Sequence, residues 1–106
     1  MKTRLAHVSI TARDMHRLAE FYRKALGFTE ARPEKSFSGA WLEKGTGVPG
    51  ASIKRIHLRL PGTGAEGALL ELIEYSDSID DSTRPAANRA GLRHIAIETG
   101  SPDEIL

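Results

Sequence analysis

The sequence has no cysteine, no long apolar run and almost no net charge, and each absence excludes a class of protein. Without cysteine among the 106 residues there are no disulfides, no thiolate nucleophiles and no cysteine-ligated zinc sites. No apolar run approaches the ~20 residues of a membrane span, and a formal net charge of +1 without a basic run argues against nucleic-acid binding. We therefore expect one modest cytoplasmic domain with no membrane and no nucleic-acid partner, in which any metal is held by His, Asp or Glu.

The segment Leu5–Phe28 predicts a strand followed by a capped helix. Alternation in Leu5–Thr11 places His7 on the face opposite the apolar set. Asp14 is a good N-cap, and Gly27 supplies the left-handed residue that ends the helix. The helix carries an apolar stripe at helical spacing, formed by Met15, Leu18, Phe21, Tyr22, Ala25 and Leu26.

The rest of the chain predicts further strands and a long polar connection. The expected elements are a strand at Phe28–Arg32 stopped by Pro33, helical turns at Gly39–Lys44, a hairpin of Ile53–Leu60 with Ala68–Tyr75, a linker at Ser76–Ala90 and a last strand at Leu92–Glu98. The class is therefore α+β, with mixed strands and helices in one domain.

The end of the chain repeats its beginning. In Leu92–Pro102, His94 takes the place of His7, and Ser101 takes the place of the helix cap. Pro102 then suits the first position of a second helix. This pattern divides the chain into residues 1–75, a linker at 76–91 and the start of an incomplete second unit at 92–106.

Two histidines and one glutamate lie on strand faces opposite the apolar sets: His7, Glu71 and His94. Two imidazoles and one carboxylate are a common ligand set for Zn, Fe, Mn or Ni. The alternative is that all three face solvent on ordinary strands. Glu71 weakens that alternative slightly, because a carboxylate between Leu70 and Leu72 needs a partner.

Five other side chains are weaker candidates for binding a ligand. Arg55, His57 and Arg59 share one strand face, where arginine suits a carboxylate or phosphate, although basic residues also protect a solvated edge strand. Trp41 either covers a ligand pocket or anchors its loop to the core. Tyr75 either donates a hydrogen bond to a ligand or simply ends its strand.

The order of these motifs resembles the vicinal oxygen chelate superfamily, which includes glyoxalases, bleomycin-resistance proteins and ring-cleaving dioxygenases. The resemblance rests on HVSI, on D-x-x-x-L-A-x-F-Y-x-x-x-L-G-F, on LLELIEY and on GLRHIAIE, and it covers nearly the whole chain. It implies paired βαβββ modules that form a cup around a divalent metal (Zn, Ni, Fe, Mn or Co). It implies ligands His7 and Glu71 from the first module and His94 from the second, and a role for Glu71 in moving a proton. The fourth ligand would lie on a later strand of the second module.

The resemblance leaves three functions open. The first is a metal-dependent lyase, isomerase or dioxygenase that chelates neighbouring oxygens of a small-molecule substrate through the metal, with Trp41, Arg55, His57 and Tyr75 around the substrate. The second is a metal-free homodimer that binds a small molecule or antibiotic. The third is an inactive fragment of a two-module protein. Because the chain encodes one complete module, the metal enzyme also requires a second module, and we expect a homodimer to supply it.

Overall fold

A computed structural model describes residues 2–79, 86–100 and 103, and it contains one four-stranded sheet with two helices in that part of the chain. The elements are β1 His7–Thr11, α1 Met15–Leu26, β2 Thr29–Ser38, α2 Ala40–Thr46, β3 Ser52–Arg59 and β4 Leu69–Tyr75. The sheet order is β1-β4-β3-β2, with β1 parallel to β4 and the other neighbours antiparallel. The predicted α+β class and βαβββ module are confirmed.

Helix α1 packs on one face of the sheet, here called the helix face. The side chain of Asp14 accepts a hydrogen bond from the backbone N–H of Arg17 at 3.0 Å, and Gly27 ends the helix with φ 75°. Glu74 reaches from β4 to the free N–H of Met15 at 3.0 Å, which ties the helix start to the sheet. The main core lies between them and consists of Met15, Ala19, Tyr22, Phe28, Ile56, Leu58, Leu70 and Leu72.

The predicted apolar stripe on α1 is confirmed except at Phe21, which lies at its edge. Phe21 is 47% exposed, whereas Ala19 is fully buried. The buried line runs through Met15, Ala19 and Tyr22, which are spaced four and three residues apart on one side of the helix. Phe21 lies beside this line and contacts the edge of Tyr22, with ring centroids 5.5 Å apart.

The opposite face of the sheet is here called the open face, and α2 covers one end of it. Leu42 of α2 packs with Ala51 and Ile53 in a second, smaller core. Phe37, Val48, Ile73 and Tyr75 pack around that core. The other end of the open face carries polar side chains, so the two ends differ in character.

Strand register lines up the open-face side chains in rows, because directly paired residues lie on the same side of a sheet. From β1 across to β2, the rows are His7–Leu69–Arg59–Thr29, then Ser9–Glu71–His57–Arg32, then Thr11–Ile73–Arg55–Lys35, and finally Tyr75–Ile53–Phe37. The first three rows hold the polar end, and the last row lies under α2.

Strand β2 corrects the sequence prediction, which ended it at Arg32. The strand continues through Pro33 to Ser38 and contains two register shifts, one between Glu30 and Arg32 and one between Arg32 and Lys35. Proline lacks the N–H that a regular ladder requires, but a bulge leaves one residue unpaired and accommodates it. The predicted helical turns around Trp41 are confirmed as α2.

The predicted strand Leu92–Glu98 is not formed. The segment has no ladder partner among the described residues, and Leu92, Ile95 and Ile97 are 76%, 41% and 42% exposed. Alternating sequence is insufficient for a strand because backbone N–H and C=O groups need a neighbouring strand to bond. The predicted cap Ser101 and first helical residue Pro102 lie outside the described residues.

No helix in the described residues is both long enough and apolar enough to cross a membrane.

Candidate metal and ligand site

Glu71 is the centre of the polar end of the open face. Its Oε1 accepts a hydrogen bond from the hydroxyl of Ser9 at 2.6 Å, and its Oε2 lies 2.5 Å from Nε2 of His57. The side chain is only 12% exposed, so these two donors replace most of its water. The partner that a carboxylate between Leu70 and Leu72 requires is therefore supplied by the neighbouring strands, β1 and β3.

His57 is 3% exposed and lies between Glu71 and Arg55. Since the carboxylate can only accept, Nε2 of His57 carries the proton that is shared with Glu71. Nη1 of Arg55 lies 3.3 Å from Nδ1 and 3.2 Å from Nε2 of the same ring. The contacts with Glu71 and Arg55 together hold the ring in one orientation.

Opposing influences act on the ionisation of Glu71. Burial alone would raise the pKa of its carboxyl group. The hydrogen bonds from Ser9 and His57 lower it, as does the imidazole charge of His7 and His57, and the net pKa lies below the ordinary value of 4.5. The group is therefore a carboxylate at neutral pH.

His7 completes the cluster from β1. Its Nε2 lies 3.5 Å from Oε1 of Glu71, its side chain is 45% exposed, and its ring centroid lies 5.9 Å from that of His57. Two donors bound to one tetrahedral zinc at ordinary bond lengths are about 3.4 Å apart. His7 and Glu71 therefore fit two positions of a divalent-metal site, and Ser9 and His57 would orient the carboxylate as hydrogen-bonded neighbours of metal ligands commonly do.

The structure does not bring His94 to this pair. His94 shares a shallow groove with Val8–Ile10 beside β1 and is exposed. Within the described residues, no three or more His, Asp or Glu side chains are grouped so that they would hold a metal ion. This part of the chain thus brings together two of the three predicted ligands, His7 and Glu71, and this pair is here called the half-site.

The other predicted ligand-binding residues are spread along the open face. Arg55 contacts His57, and its buried Nε has no hydrogen-bond partner. Trp41 is 63% exposed on α2 and lies edge-on to Phe37. Tyr75 lies in the second core, away from Glu71, and lines a cavity of about 330 Å³ with Thr11 and Val48 of the same end. Their predicted roles at a substrate stay predictions.

Ser9 and Arg32 were missed by the sequence reasoning. Ser9 was detectable, since period-two alternation places it on the same face as His7. Arg32 was not, because the register shift that turns its side chain toward the row of Glu71 leaves no mark in the apolar pattern.

His7 and Glu71 lie together on the open face of a βαβββ sheet, as the resemblance to the vicinal oxygen chelate superfamily implied. Residues 4–106 match the model of the glyoxalase/bleomycin resistance protein/dioxygenase superfamily, and the chain belongs to that superfamily.

Comparison with solved structures supports the same fold. The crystal structure of a glyoxalase family protein from Bacillus cereus superposes with a TM-score of 0.67 at 18% sequence identity and covers 87% of this chain. The chain spans 60% of the length of that structure. No curated protein sequence matches the chain.

Proposed function

We propose that the protein is a metal-dependent enzyme of the lyase, isomerase or dioxygenase type. Its half-site binds a divalent cation, and the cation chelates neighbouring oxygens of a small-molecule substrate. The proposal rests on one observation: His7 Nε2 and Glu71 Oε1 are 3.5 Å apart on the open face, and the carboxylate is already oriented by Ser9 and His57.

The remaining ligands come from a second module in this proposal. Two protein ligands are fewer than the three or four that zinc and similar ions take from protein sites. A second copy of the chain would contribute another His7 and Glu71, or His94 would join after rearrangement. A homodimer paired across the open faces is therefore part of the proposal.

The residues of the chain have separate tasks at this site. When bound, a divalent cation would stabilise negative charge on substrate oxygens. Glu71 balances the charge of the cation, and its low pKa keeps it ionised. The same low pKa weakens Glu71 as a base, because proton transfer is most effective when the pKa lies near the working pH. His57 and Ser9 position the carboxylate, which favours the ligand role of Glu71 over the proton-transfer role.

Metal binding tests the proposal directly. The purified protein is incubated with Zn²⁺, Ni²⁺, Mn²⁺ or Fe²⁺, excess metal is removed, and bound metal per chain is measured by elemental analysis. We expect stoichiometric metal in the unchanged protein, and loss of it in His7→Ala and Glu71→Gln. His16→Ala is the matched control, because His16 lies on α1 and contacts Glu34.

The source of the other ligands is tested by measuring bound metal in His94→Ala and the oligomeric state of the protein by sedimentation. Loss of metal in this variant assigns His94 to the site, whereas retention in a dimer assigns a second His7–Glu71 pair. Absence of metal from the unchanged protein, or metal that persists in both His7→Ala and Glu71→Gln, contradicts the enzyme proposal. Small-molecule binding by a metal-free dimer would then favour the binding-protein alternative.

A further inference from the structure

We propose that a pocket beside Glu71 is an oxyanion site, which binds the phosphate or carboxylate group of a small-molecule ligand. The pocket exists without any metal, so anion binding stands by itself. Its role as the holder of the charged end of a substrate rests on the function proposed above.

The pocket lies between the start of β1, the bulge of β2 and the loop that joins β3 to β4. Its volume is about 120 Å³, which is room for roughly four water molecules, and a phosphate ion has five non-hydrogen atoms. The lining residues are Arg4, Ala6, His7, Arg32, His57, Arg59, Ala65, Gly67 and Leu69. Three arginines and two histidines thus surround it, and none of these lining residues is acidic.

Two of the arginines are already held in place by the loop. Nη1 of Arg4 donates to the carbonyl of Glu66 at 2.9 Å, and Nη1 of Arg59 lies 3.2 Å from the carbonyl of Ala65 and 3.3 Å from that of Gly64. Each guanidinium has five N–H donors, so donors remain for a ligand. Anchored side chains lose little further freedom on binding, which favours affinity.

Arg32 is the third arginine, and the first β2 bulge directs it to the pocket. Glu30 pairs with Leu58, so an unbroken register would pair Arg32 with Ile56, which points into the main core. The shift pairs Arg32 with His57 instead and places the guanidinium on the open face. Arg32 has no hydrogen-bond or ion-pair partner among the described residues, so its charge is available.

The surrounding charge favours the same class of ligand. In the rows of the open face, β2 and β3 contribute Arg32, Lys35, Arg55 and Arg59, whereas Glu71 is the one carboxylate in those rows. Arginine forks match the planar carboxylate and the phosphate group, with two parallel N–H···O bonds each. The chemistry of the pocket therefore favours a small oxyanion as its ligand.

Titration with inorganic phosphate and with acetate tests the pocket in the metal-free protein. Binding is followed by NMR of the side-chain Nε–H groups in ¹⁵N-arginine-labelled protein, with chloride adjusted to hold ionic strength constant. We expect saturable shifts at Arg4, Arg32 and Arg59. Arg32→Ala should weaken binding about tenfold or more, since it removes charge-assisted hydrogen bonds. The anion that binds more tightly identifies the charged group of the ligand.

Arg17→Ala is the charge-matched control, because Arg17 is exposed on α1 and its removal changes the net charge equally. Binding that never saturates, or that weakens equally in Arg32→Ala and Arg17→Ala, overturns the proposal. Glu71→Gln separates it from the metal site. This variant should lose metal but bind phosphate at least as tightly, since a nearby negative charge is removed, whereas Arg32→Ala should bind phosphate more weakly but retain metal.

Discussion

The contact between His57 and Glu71 should be among the strongest polar interactions in the molecule. Its two atoms are 2.5 Å apart, and the side chains are 3% and 12% exposed. Hydrogen bonds to a charged group contribute about 1.5–3 kcal/mol, and this pair lies at a depth where water screens it little. We expect a coupling free energy of about 2 kcal/mol.

A double-mutant cycle of His57→Ala, Glu71→Ala and the double variant measures that coupling. The free energy of unfolding is obtained from urea titrations at pH 7, in chelator and at one protein concentration, because dimerisation would otherwise change the apparent stability. In each single variant, the free energy of unfolding should fall by more than the coupling free energy. The reason is that the largely buried partner that remains is left unsatisfied and packing is lost as well.

The pair His16–Glu34 provides a control with the same geometry in a different environment. Its atoms are also 2.5 Å apart, but the side chains are 58% and 39% exposed. Exposed ion pairs contribute about 0–1 kcal/mol, so its cycle should give a distinctly smaller coupling. A His57–Glu71 coupling below about 0.5 kcal/mol, or one no larger than that of the exposed pair, would refute the reasoning that burial gives this contact its strength.

Two further predictions concern acid stability and the β3–β4 loop. Because the folded pKa of Glu71 lies below the ordinary value of 4.5, this group stabilises the fold at higher pH, and its contribution is lost as the pH falls through the folded pKa. In urea titrations across this acid range, the unfolding free energy of Glu71→Gln should therefore fall less steeply with decreasing pH than that of the unchanged protein. An identical pH dependence in the two proteins would contradict the direction of the pKa shift. A Cβ on Gly67 would lie 2.5 Å from Cβ of Thr63, whereas one on Gly64 would meet nothing within 4 Å. Gly67→Ala should therefore lower the unfolding free energy by about 1–3 kcal/mol and Gly64→Ala should not; equal effects in thermal unfolding would argue against a close approach in the loop.

Local signals accounted for the parts of the fold that the sequence could predict. Asp14 and Gly27 mark the ends of α1 by chemistry that acts within one helical turn, and the hairpin strands were placed within one or two residues of their observed ends. The family resemblance added the order of the elements, and the comparisons confirm it.

The pairing of His57 with Glu71 could not be predicted because it depends on register. The loop between β3 and β4 spans residues 60–68, and a loop of that length is compatible with several registers. Only the observed pairing of Arg59 with Leu69 places His57 opposite Glu71. The strand predicted at Leu92–Glu98 is wrong for a related reason. Alternation indicates which side chains would share a face, but it does not specify a partner strand for the backbone hydrogen bonds.

Each of the two shifts in β2 inserts one residue, and each therefore turns the side chains that follow it to the other face of the sheet. Before the first shift, Thr29 faces the open side; between the shifts Arg32 does so; and after the second shift Phe37 does so again. Two inserted residues thus restore the original alternation, and only the short stretch between them is out of step. Loss of one of them would turn Phe37 away from the core under α2. Loss of both would leave that core intact and remove only the arginine from the pocket. The residue of β2 that faces the pocket can therefore vary while the packing of the rest of the strand stays the same.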